Sequence, residues 1–350
     1  MIKSNRVVFF DYLRIIAALS VVFVHVSAAQ WYSTDVNTQA WFVMNAYNGL
    51  QRWNVPVFVM ISGALVLGKE ISLKQLYSKK IIRMIIVFIF WSLLYACWDL
   101  FSNNNYNIKH FIREVVFGHY HLWFMYMLVG LYMIVPLLSI IVKNKRLTKY
   151  FLVLALVFAF TLPGLNDIME QIVPNLSEAL TTVLSKMQLN FVLGYSGYFV
   201  LGYFLYRTPI SRKTEFILYI LGLLGVIFTI GATIGLSNWL NLPMTCFLSN
   251  LTLNTFIVSV AVFTFFKQHL NKPVNSQKTQ NLIMFISKCT FGVYLIHPFF
   301  IEALNKFANI NTLSFNPIIS IPVISLVVFL ASLMVSVLFN KIQVINKWIV

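Results

Sequence analysis

Charge is scarce in this sequence, and acid is scarcer still. Only 10% of the 350 residues are charged, with ten Asp and Glu against 26 Lys and Arg. So few charges cannot cover the surface of a water-soluble domain. Cysteine is also rare: Cys97, Cys246 and Cys289 are odd in number, scattered and without a CxxC pair. They read as packing residues, neither a disulfide framework nor a zinc site. There is no P-loop, no GxGxxG opening a helix after a strand, and no GxSxG elbow. No two His or carboxylates stand at i, i+4 on an apolar run, and the lone HxH at 119–121 is a weak signal, so no metal is expected. Internal repeats and Gly/Ser- or Pro-rich linkers are absent, and residues 1–350 read as one integral membrane domain.

Apolar residues are what the chain has: 59% of it, with a mean hydropathy of +0.79. Runs of about 20 residues, enough to cross a ~30 Å hydrocarbon core, recur from end to end. They fall near 8–29, 42–67, 83–102, 120–141, 150–166, 189–206, 215–235, 244–266, 281–303 and 317–339. The expectation is an all-α polytopic transmembrane bundle of about ten spans in the plasma membrane. Nineteen of the 26 basic residues, Lys3, Arg6, Lys272 and Lys347 among them, fall in alternate segments. Only Lys109, Arg113, Lys186 and Lys306 fall in the others. By the positive-inside rule this asymmetry puts both termini in the cytoplasm. The net charge of +16 therefore reports topology and attraction to the lipid bilayer, with no nucleic-acid partner. MIKSNR followed by an apolar run ending in SAA imitates a signal peptide, but Asp11, Arg14 and His25 would lie in its apolar core, so the first helix is expected to be retained. The segment KEISLKQLYSKKIIR is expected as a short amphipathic helix on the inner membrane surface.

Asp11, Arg14 and His25 are costly inside hydrocarbon. Arg14 and His25 are eleven residues apart, about 16 Å along a helix and only ~20° around it. Asp11 precedes Arg14 by three and can pair with it. The face through Ala18, Val21 and Val22 reads as a lane with an ion pair at its inner end and an imidazole further out. Interfacial snorkelling accounts equally for Asp11 and Arg14. His25, deep in the span, is better explained by proton chemistry near neutral pH. Other polar groups gather toward the outer side: Arg52 and Asn54 before Pro56, the run HYHLWF with His121 and Trp123, and His297 before Pro298. An aromatic belt alone accounts for Tyr120, Trp123 and Phe124. A cavity with Arg52, His121, His297 and aromatic rings would suit a sugar.

These motifs together resemble the acyltransferase 3 family of integral membrane O-acyltransferases, in particular stand-alone members of the enterobacterial common antigen O-acetyltransferase type. DYLRIIAALSVVFVHV carries the family's basic residue and histidine at Arg14 and His25. VPVFVMISGALV matches its Pro-Phe-Phe-Ser-Gly pattern at Pro56, Phe58, Ser62 and Gly63. KKIIR resembles its cytoplasmic basic cluster, although Lys79 and Lys80 stand where arginines are commoner and the following proline is replaced by Ile. HLWFMYMLVGLY and TFGVYLIHPFF resemble two later blocks.

The resemblance implies transfer of an acyl group, usually acetyl, from cytoplasmic acyl-CoA to a hydroxyl of an envelope glycan or lipid-linked sugar. Acetyl-CoA is then the expected donor substrate. Arg14, Lys79, Lys80 and Arg83 would hold the CoA phosphates, and His25 would act at the thioester. Arg52, Ser62, His121, Trp123 and His297 would meet the acceptor. His25 could be a general base or be acylated itself. Asp11, about 21 Å along the same helix, cannot orient its ring. No soluble SGNH-type domain stands among these residues, so transfer is expected to finish in the membrane part or on a partner. An exporter or flippase without chemistry is the competing class.

Overall fold

The computed structural model describes residues 7–103, 107–187, 189–271, 276–343 and 348–349. Lys3, Arg6, Lys272, Lys347 and both chain ends lie outside the described residues. The described residues form an all-α polytopic bundle with no strand.

In chain order the helices are α1 Val8–Ala28, α2 Gln39–Leu50, α3 Asn54–Val66, α4 Leu73–Ser102 and α5 Ile108–Phe117. Next come α6 Trp123–Met133, α7 Val135–Lys143, α8 Lys145–Ile172, α9 Pro174–Met187 and α10 Asn190–Arg207. The last four are α11 Arg212–Leu240, α12 Leu253–His269, α13 Gln277–Ala308 and α14 Pro317–Lys341. Seven helical stretches are long and apolar enough to cross a membrane, and α6 with α7, bent by 58°, makes up to eight.

Three segments depart from a simple row of spans. The run near 42–67 is broken at Gln51–Trp53 into α2 and α3, and Pro56 sits in the first turn of α3, where its missing N–H costs nothing. The run KEISLKQLYSKKIIR is not a separate surface helix. From Leu73 it continues into α4 through a π turn at Tyr77–Ile81, because Ile81 to Ile86 prolong the apolar stretch without a breaker. Two outer segments expected as loops are helical: α5, amphipathic with no buried residue, and α9.

Packing is tightest where side chains vanish. A Cβ on Gly63 of α3 would lie 1.8 Å from the Phe199 carbonyl oxygen of α10, and one on Gly202 would lie 2.0 Å from that of Met60. The two backbones touch, the small-residue packing that apolar solvent favours. α1 is held at the centre against α13 and α14, with α3 beside it. Ser287 of α13 donates to the buried Asp11 carboxylate at 2.7 Å, which fixes the axial register of α1 against α13.

Candidate active site

Two polar layers sit at opposite ends of α1, separated by a layer of aromatic rings. At the N-terminal end, the inner one under the expected topology, Arg14 lies 3.7 Å from Asp11. Around them is Tyr132 of α6. Lys80 stands over its ring at 5.4 Å, and Arg14, Arg83 and Ser62 are its neighbours. Four expected residues, Arg14, Lys80, Arg83 and Ser62, are therefore brought together. Lys79 is exposed on the other side of the π turn. Ser62, which the motif grouped with the acceptor residues, stands in this inner layer, because it lies one turn inward of Phe58, whose carbonyl accepts its hydroxyl at 2.9 Å.

At the outer end His25 lines a cavity of about 370 Å³ with Tyr120, Glu302, Asn305, Asn311 and Thr312. The His25 ring centroid is 5.0 Å from His297 and 5.2 Å from Tyr120. The neighbouring imidazole from another helix is thus His297 of α13. His121 follows, 5.6 Å from His297, and Tyr294 donates its hydroxyl to the His121 carbonyl at 2.6 Å. Arg52, in the break between α2 and α3, donates to Asn48 and is near enough to His25 to act on its charge, while its Nε is buried without a partner. Trp123 is not brought in: it is half exposed and faces Tyr195 at 5.7 Å.

Pro298 does not break α13, and it explains the orientation of His297. Proline has no N–H, so the Tyr294 carbonyl four residues earlier loses its helical donor. Nδ1–H of His297 supplies one at 2.8 Å, with a longer contact to Val293 at 3.2 Å.

Between the layers, Phe58 of α3, Phe124 of α6 and Tyr294 of α13 form a row, with centroids 6.3 Å and 5.6 Å apart. The lane expected along α1 is closed. Ala18, Val21 and Val22 are buried, and Ala18 and Val22 pack in one cluster with Val293 and Ile321. Helical spacing predicts the shared face of Arg14 and His25 but not what lies upon it.

Sequence reasoning missed His119, Glu302, Tyr95 and Trp98. Nε2 of His119 meets Glu302 at 2.9 Å, Trp98 donates to the other carboxylate oxygen at 2.8 Å, and Tyr95 stacks on His119 at 4.2 Å. The available signal was Glu302 itself, an acid in an apolar helix five residues after His297. Among the described residues no group of three or more His, Cys, Asp or Glu is arranged to hold a metal ion.

A helical membrane bundle with cations at one end of a central helix and an imidazole on a cavity at the other has the parts that a membrane enzyme transferring groups would need. Residues 7–340 match the family described as an acyltransferase domain. The chain belongs to that family, acyltransferase 3, and is a multi-pass membrane acyltransferase acting on groups other than amino-acyl groups. No curated protein and no solved structure matches it.

Proposed function

We propose that this enzyme moves an acetyl group from cytoplasmic acetyl-CoA to a hydroxyl of an envelope glycan or lipid-linked sugar, in the plasma membrane, with both termini in the cytoplasm. The observation that carries this reading is the pairing of the two polar layers on α1. Arg14, Lys80 and Arg83 are suited to the CoA phosphates through charge-assisted hydrogen bonds. His25, eleven residues on, lines the cavity in which a sugar hydroxyl can sit. The ~16 Å between them is comparable to the reach of a pantetheine arm. With the face of α1 closed, the arm passes beside Phe58 and Phe124, the side chains that separate the layers away from α14.

In this reading His25 is a general base. It takes the hydroxyl proton as the acceptor oxygen bonds to the acyl carbon, the C–S bond breaks, and the proton is returned to the leaving thiolate. His297 packs its ring beside His25 from α13, and Arg52 supplies positive charge where the oxyanion forms.

The test uses membrane vesicles, labelled acetyl-CoA and the envelope glycan fraction. Label should enter the glycan with wild-type protein and fall about 10²–10⁴-fold with well-expressed His25→Gln, which keeps size but cannot exchange a proton. Normal transfer by that variant would remove His25 from the chemistry. No transfer by wild-type protein would favour an exporter.

A further inference from the structure

A run of side chains behind the cavity is not used by the reaction as proposed. It leads from Glu302 through Nε2 of His119 at 2.9 Å, and from Nδ1 of His119 to Nδ1 of His121 at 3.0 Å. The hydrogen positions follow from which groups can accept. A carboxylate facing an imidazole accepts, so Nε2 of His119 carries a hydrogen, and in the neutral ring Nδ1 is then a lone pair. The contact to His121 then requires a hydrogen on Nδ1 of His121, which leaves Nε2 of His121 bare. His297 reaches the same state separately, since its Nδ1–H is spent on the Tyr294 carbonyl. Both bare Nε2 atoms are buried and have no hydrogen-bond partner. Unsatisfied buried acceptors are costly, and two of them, on rings 5.6 Å apart and beside His25, are an arrangement that packing alone would discard.

We propose that Glu302 and His119 are positioning residues that hold His121 with a bare Nε2, so that His121 and His297 together take over the proton that His25 removes from the acceptor. The inference rests on the acyl-transfer reading above. The acceptor O–H breaks as its oxygen bonds to the acyl carbon, and His25 binds the proton. The rings are not in direct hydrogen-bond contact, so a bridging water carries the proton to the bare nitrogens of His297 and His121 and back until it protonates the thiolate released by C–S cleavage. Glu302 offsets the positive charge through His119, and Trp98 keeps the carboxylate in place. The other groups facing the cluster are Arg52, Tyr95, Tyr120 and Tyr294.

The experiment uses the full chain in nanodiscs. ¹⁵N spectra of labelled histidine report whether Nε2 of His121 is bare, independently of activity. Wild-type protein should show it bare, and His119→Ala should not. In acetyl transfer to an envelope glycan extract, Glu302→Gln and His119→Ala should lower kcat about 10²-fold with KM for acetyl-CoA unchanged. His119→Gln can still donate to Glu302 and accept from His121, and should recover to within about tenfold of wild type. A protonated Nε2 on wild-type His121 would overturn the proposal, as would a normal kcat in Glu302→Gln or a His119→Gln no better than His119→Ala. Failure of the broader reading shows elsewhere: His25→Gln would then transfer acetyl normally, whatever the spectra of His121.

Discussion

Gly63→Ala would push α10 away from α3, the helix that carries Ser62 of the inner layer and Phe58 of the aromatic row. The added methyl meets the Phe199 carbonyl oxygen at 1.8 Å, while real Cβ contacts stay beyond 3.0 Å, so α3 and α10 must part by at least about 1.2 Å along that line. The obstacle is backbone, which no rotamer change relieves. Overpacking of this kind costs about 1–3 kcal/mol, and a gap of that width also forfeits a quarter to a half of the dispersion energy of each facing contact. The loss is therefore expected at or above the upper end, ~3 kcal/mol. Because α3 carries Phe58 and Ser62, the same movement should lower activity at temperatures where the protein is still folded. Thermal unfolding of purified protein in detergent gives the first quantity, and acetyl transfer below the transition gives the second. Gly202→Ala, whose methyl meets Met60 at 2.0 Å, opens the same interface. The double variant should lose less than the sum of the singles, because one opening relieves both overlaps. A Gly63→Ala protein with unchanged unfolding temperature and full activity would refute the close contact itself.

Two further outcomes follow from the layers. Lys80→Ala should raise the KM for acetyl-CoA about 10- to 100-fold with kcat little changed, as expected for the loss of one charge-assisted contact of about 1.5–3 kcal/mol. The exposed Lys79→Ala should leave KM nearly unchanged, and equal effects from the two lysines would argue that the cluster only anchors the inner surface. Phe124→Ala should increase the release of CoA from acetyl-CoA without acceptor, since removing the ring between Phe58 and Tyr294 admits water to the thioester. Thiol titration reads this directly, and an unchanged background rate would show that the aromatic row is not the barrier.

The sequence made some of this legible for definite reasons. α1 follows the expected 8–29 almost residue for residue, because an unbroken apolar run leaves only one way to satisfy its backbone in lipid. The 3.6-residue period also predicts the pairing of Asp11 with Arg14, which is local. Properties that depend on a second helix were not legible. Ser62 was read with the acceptor residues because a motif gives order along the chain but not depth in the bundle. The closure of the Ala18–Val22 face depends on Val293 and Ile321, far along the chain. Glu302 gains its partners only when α4, α13 and the 118–122 turn fold together around it. Pro298 offered a further local clue. A proline that removes a helical donor directly after a histidine could have been read as a request for the Nδ1–H that His297 provides.

In the proposed reaction the donor and acceptor lie on separate sides of the aromatic row, and the three layers give a reason for that separation. Water is always available on both sides of a membrane, and a base able to deprotonate a sugar hydroxyl can also activate water. Selectivity for the sugar then has to come from geometry, as proximity and orientation of a bound hydroxyl. In the proposed reaction the cations around Tyr132 would hold the polar end of the donor away from the cavity, with the row of Phe58, Phe124 and Tyr294 between them. On the other side, the lining of the outer cavity is mixed, with Glu302, Asn305 and Asn311 able to bind hydroxyls and Ile301, Ile310 and Ile324 able to displace water from them. The thioester and the hydroxyl would meet at the boundary between these two environments, which is where α1 places His25.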